Sequence, residues 1–142
     1  MKKILIAVAA IAMAACTQAA SVYWSATNVY AGNETDKNSG IAYFLTTSMA
    51  TIESWASLKT ADEFKTALSG KYSYTPSTAG TYSIASSAAV ANATLGLDDA
   101  TSYTAYLLIF DTAEITDDSN YFITATKSLT TVGGTSSASV AF

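Results

Sequence analysis

One change of hydrophobic period constrains this chain more than any other feature. Most of the sequence is written in short β-branched and aromatic runs separated by polar turns. Between Ser48 and Gly70 the apolar residues recur instead every three or four positions. Met49, Ile52, Trp55 and Ala56 are spaced as on a helix face. Thr60-Ala61-Asp62-Glu63 then has the form of a capping box, and Phe64, Ala67 and Leu68 line a second face before Gly70. A helix–turn–helix connector inside a strand-rich chain leaves one fold class, mainly β with a helical insertion over residues 48–70.

The strands are read from the same rules. Ser21 to Tyr30 and Ile41 to Thr47 are rich in aromatic and β-branched residues, and the second is apolar enough to be central. Lys71 to Thr75 is a short strand, and Pro76 to Gly80 a turn. Thr81 to Ser86 and Ala89 to Leu95 read as strands whose Ala and Ser content leaves the register open. Tyr103 to Phe110 is the clearest strand. Tyr121 to Thr130 and Ser136 to Phe142 follow an acidic loop over residues 111–120.

The N-terminus reads as an address. Met1-Lys2-Lys3 precedes twelve apolar residues, Ile4 to Ala15, a run too short to span a bilayer and of the length of a signal-peptide core. Thr17-Gln18-Ala19 offers the small residues that signal peptidase requires, with cleavage before Ala20. Residues 1–19 are then a signal peptide and residues 20–142 a single domain. The competing reading takes Met13-Ala14-Ala15-Cys16 as a lipobox, with Cys16 lipidated and the protein held at a membrane.

Composition limits the chemistry. There is no His, and all seven basic residues are Lys. This excludes His-based triads, His-ligated zinc and imidazole acid–base catalysis. After cleavage before Ala20, five lysines face 11 acidic residues, a net charge of −6 that disfavours nucleic acid. Cys16 leaves with the leader, so packing rather than disulfides must hold the domain. These counts point to a non-catalytic protein with no cofactor and no metal.

A local pattern sharpens the fold. Leu97-Asp98-Asp99-Ala100-Thr101-Ser102-Tyr103-Thr104-Ala105-Tyr106 resembles the corner before the sixth strand of immunoglobulin-like and fibronectin type III domains. Leu97, Thr101 and Tyr103 occupy the matching positions. The resemblance implies an immunoglobulin-like β-sandwich in which the Tyr103 hydroxyl bonds back to the turn. The helical segment departs from that family, which leaves strand order between Thr47 and Thr81 open. The chain also resembles short, Ala/Ser/Thr/Tyr-rich secreted bacterial proteins, many of which carry a Pro-Glu-Pro sorting tail that does not follow here.

Candidate binding groups are few. Asp98-Asp99, and Asp111, Glu114, Asp117 and Asp118, are loop carboxylates of the kind that collect calcium, but no Asp-x-Asp-x-Asp-Gly spacing is present and turn-forming Asp accounts for them without an ion. Trp24, Tyr30, Tyr72, Tyr74 and Tyr82 form a candidate sugar-stacking platform, with Tyr72 and Tyr74 on one strand face. The alternative buries the Trp and leaves the Tyr at the core border. Asn33-Glu34-Thr35 and Asn92-Ala93-Thr94 match the glycosylation sequon. Finally, Ala20 to Asn33, Tyr72 to Leu97 and Ser128 to Phe142 carry no charge. Strands without charged guards are suited to pairing with another subunit. The resulting expectation is a secreted structural or adhesive surface protein, its partners itself, other surface proteins or glycans.

Overall fold

The computed structural model describes residues 19–31 and 35–142, so Cys16, the leader and the Asn33 sequon lie outside the described residues. The fold is mainly β, with two sheets. β1 (Ser21–Ser25), β4 (Val90–Ala91) and β8 (Ser137–Ala141) form a small sheet in the order β4-β1-β8. β2 (Ala42–Thr46), β3 (Ser73–Tyr74), β5 (Ser102–Phe110), β6 (Tyr121–Ile123) and β7 (Lys127–Thr130) form the larger one. Its order is β3-β2-β5, with β6 and β7 both antiparallel to β5. β1 pairs antiparallel with β4 and parallel with β8, the register running from Ser21 opposite Ser137 to Ser25 opposite Ala141.

Alternation along the strands builds two cores. Val22 and Trp24 of β1, Val90 of β4 and Ala138 and Val140 of β8 meet Ala42, Phe44, Ala105, Leu107 and Ile109 between the sheets. The opposite faces of β2 and β5 bury Leu45, Tyr106, Leu108 and Phe110 beneath α1 (Ile52–Ala56) and α2 (Ala61–Ala67). β5 is therefore covered on both sides. That is why Ala105 to Phe110 is an unbroken buried run rather than an alternating one. The molecule has three layers: small sheet, large sheet, helices.

The helices are short but well specified. At α2 the Thr60 hydroxyl accepts the Glu63 N–H at 3.3 Å, and the Glu63 carboxylate accepts the Thr60 N–H at 3.1 Å. Asp117, reaching over from the acidic loop, accepts the Ala61 N–H at 2.7 Å. The buried face is Ala61, Phe64 and Leu68, with Ala67 exposed, and in α1 Trp55 is buried while Ala56 is exposed. The apolar spacing in the sequence places both alanines on the inner faces; the position of the larger rings decides which side turns inward.

Four strand expectations are corrected. Ser21 to Tyr30 is regular only to Ser25, continuing through single bridges at Thr27 and Tyr30. Thr81 to Ser86 makes single bridges, Thr81 to Thr27 and Ile84 to Trp24, and Ala89 to Leu95 yields only β4 before one helical turn, α3 (Asn92–Leu95). Gly96, at φ 69°, ends that turn and sends Leu95 and Leu97 into the core. Tyr121 to Thr130 is split by a bulge. Residues 124–126 oppose only Tyr106 and Leu107, and the Thr124 hydroxyl accepts the Leu107 N–H at 2.9 Å. The extra residue reverses the alternation, so both Phe122 and Leu129 face the core between the sheets.

Candidate functional site

The aromatic platform does not form as drawn from the sequence. Trp24 is 2% exposed, tilted against Phe44 with centroids 4.8 Å apart, and Tyr82 is 0% exposed with its hydroxyl donating to Gly40 O at 2.8 Å. Inward alternation on β1 puts the indole between the sheets, out of reach of a ligand. Tyr72 packs edge-on against Trp24, centroids 5.8 Å apart, and the Tyr74 hydroxyl donates to Ser83 O at 3.2 Å. Both are half-buried at the core border. Tyr30 is exposed, its ring under the Lys37 ammonium at 4.2 Å, and that ammonium also donates to Asn28 Oδ1 at 2.9 Å.

The corner residues do come together. The Tyr103 hydroxyl accepts the Asp98 N–H at 2.8 Å, five residues back, while Leu97 is buried in the core between the sheets. The Thr101 hydroxyl donates to Asp99 O at 3.0 Å. Thr131, buried after β7, ties the same turn down. Its hydroxyl oxygen accepts the Thr101 N–H at 2.9 Å and lies 2.6 Å from Asp98 O.

The carboxylates are spread over separate structural tasks. Asp111 holds Asn120 through its backbone N–H at 2.9 Å and its side-chain amide at 2.8 Å. Asp117 serves α2, and Asp99 accepts from Asn92 Nδ2 at 2.7 Å. Among the described residues no three His, Cys, Asp or Glu side chains gather as a metal-holding group. Asn92 is 2% exposed with its amide nitrogen shared between Asp99 and Val132 O, so the second sequon is inaccessible in the folded chain.

What the fold does assemble is a surface. The uncharged segments, far apart in sequence, supply every strand of the small sheet. Its inner face is core; its outer face presents Tyr23, Ser25, Ser139 and Ala141, the last three exposed. A shallow hollow of about 490 Å³ lies there, between β1, β8 and the Ser83–Ser86 stretch. The large sheet differs. Its outer face is roofed by α1 and α2, which carry Glu53, Asp62, Glu63 and Lys65. The signal for the bare face was present in the sequence as the alternation of Val22 and Trp24 with Tyr23 and Ser25, and of Ala138 and Val140 with Ser139 and Ala141. Comparison with protein-family models, with curated proteins and with solved structures finds no match to this chain.

Proposed function

We propose that the chain is a secreted, non-catalytic structural or adhesive protein of a bacterial surface or extracellular assembly. Its leader is removed before Ala20, and its uncharged small sheet makes the contacts. The observation that carries this reading is the convergence of three charge-free segments on one uncovered sheet, in a domain whose mature net charge is −6. Copies meeting through that face escape the repulsion their loops would impose. β8 adds an edge with neither Lys nor Pro to guard it. The architecture proposed is an immunoglobulin-like sandwich, supported by the Tyr103 bond to Asp98 across the corner. The helical roof and the parallel pairing of β8 with β1 are elaborations on that plan.

The test is the size distribution of the mature protein by size-exclusion chromatography and electron microscopy over a range of concentrations. Multimers are expected, and the doubly substituted Ser25→Lys, Ser139→Lys protein is expected to be monomeric with an unchanged circular-dichroism spectrum. Strict monomers of the unsubstituted protein at high concentration would overturn the assembly reading.

A further inference from the structure

The residue at which the leader is expected to be cut sits in an unusual place. Ala20 is 5% exposed, and its carbonyl accepts the Asn92 N–H at 2.8 Å, extending the pairing of β1 with β4 by one step. In that antiparallel register the Ala20 N–H would return to Asn92 O. That carbonyl instead receives Leu97 N–H at 2.9 Å, and no backbone acceptor for Ala20 N–H appears among the described residues. Ala20 opens onto a hollow of about 380 Å³ lined by Ala19, Asn92, Ala93, Asp99, Gly134 and Thr135.

Asp99, Asn92 and Thr135 bring side-chain acceptors to the lining of this hollow. Asp99 is its one carboxylate, with Oδ1 engaged by Asn92 Nδ2 at 2.7 Å. The Asn92 Nδ2 faces two acceptors, Asp99 Oδ1 and Val132 O, so the orientation of the amide is set, and its Oδ1 is buried without a hydrogen-bond partner. An unpaired buried acceptor costs free energy until a donor arrives. The site therefore has a negative charge, an orphan acceptor and small walls of Ala and Gly. It suits a small primary ammonium.

We propose that the ammonium is the protein's own. Hydrolysis of the Ala19–Ala20 peptide bond adds one water: the acyl carbon of Ala19 leaves as a carboxylate, and Ala20 keeps its nitrogen. At neutral pH that nitrogen takes up a proton and becomes an α-ammonium with three N–H donors in place of one. It pairs with the Asp99 carboxylate and donates to Asn92 Oδ1. Removing Ala19 also opens one wall of the hollow to make room. Leader cleavage thus completes the fold by stapling the start of β1 to α3 and to the corner turn at Asp98 and Asp99. The uncleaved chain lacks this charge at residue 20. The inference rests on the proposed secretion and cut site.

The charged groups near the amine are few. β4, α3 and β8 carry none, and Asp98 turns its carboxylate toward the Tyr103 hydroxyl, with Oδ2 at 3.5 Å. Asp99 is left as the partner that moves the titration. The experiment takes the exported protein, establishes its first residue by intact mass and N-terminal sequencing, and titrates the α-amine by NMR. The expected result is a chain beginning at Ala20 whose amine titrates about one pH unit or more above the ordinary range of roughly 7.7–8.0. In Asp99→Asn the value falls back to that range, and in Asp99→Glu it is partly retained. A chain beginning at Ala20 with an ordinary amine pKa in the unsubstituted protein overturns the pairing and leaves the secretion reading intact. A chain beginning at Cys16 with a diacylglyceryl mass, or at any other residue, overturns the cut site and the pairing together.

Discussion

Tyr106 shows how much one hydroxyl carries in this protein. It accepts the Trp55 indole N–H at 2.8 Å and donates to Ala50 O at 2.8 Å, joining the central strand to the segment that enters α1. Tyr106→Phe removes both bonds and leaves a buried indole N–H unpaired, so a loss of about 1–3 kcal/mol is expected in urea unfolding. Tyr103→Phe deletes one bond in a more exposed setting, and about 1 kcal/mol is the expected loss. An unchanged unfolding midpoint in that variant would remove the corner as a stabilising feature. Gly40 is constrained differently. A Cβ there would run into the backbone carbonyl of Phe110, and β5 cannot retreat because both its faces are packed. Gly40→Ala should therefore cost about 1–3 kcal/mol or more in the same assay.

At the scale of elements, local chemistry and tertiary support act together. α2 is only seven residues long, too short to persist alone, and its start is held by Thr60, Glu63 and the distant Asp117. Two backbone amides, of Lys59 and Thr60, donate to the Glu63 carboxylate and hold its pKa below the usual value. Thr60→Ala should destabilise the protein by about 1 kcal/mol, read as a lowered melting temperature with a loss of helical ellipticity. The bulge at residues 124–126 acts on β7 in a comparable way, since without it Leu129 would point away from the core between the sheets. Deleting Ala125 should reverse the β7 side chains and cost as much as losing a buried leucine, about 2–5 kcal/mol.

At the scale of the whole molecule, the groups among the described residues whose titration burial shifts upward are phenols. Burial raises the pKa of Tyr43, Tyr72, Tyr82 and Tyr106, and at Tyr106 the Trp55 N–H partly offsets the rise. Above pH of about 10 the unfolded chain releases phenolic protons that the native state retains. The native state then binds more protons, and stability falls as pH rises. The expected behaviour is a stability set by other groups below about pH 10 and a steep, cooperative alkaline unfolding above it, followed by the tyrosinate absorbance. Exposed phenols such as Tyr30 ionise without unfolding, so it is ionisation of all nine tyrosines with near-ultraviolet ellipticity retained that would contradict the burial of these rings.

Much of the layout was written locally. The period change over residues 48–70, the Thr60–Glu63 capping box and the run from Tyr103 to Phe110 each state their own structure, because helix spacing, capping and β propensity are short-range properties. What stayed illegible was pairing. Ala- and Ser-rich stretches such as Ala89 to Leu95 have weak preferences, so contact with β1 and the left-handed Gly96 decide where strand ends and helical turn begins. An alternating strand also cannot name its neighbour. Hence the parallel match of β8 to β1, the complete burial of Tyr82, and the meeting of Ala20, Asn92 and Asp99 belong to the tertiary structure alone. The sequence by itself determined a mainly β chain with a helical connector, without charge over three long stretches. Only the folded arrangement put those stretches into one uncovered sheet, because long-range packing decides which faces the helices cover.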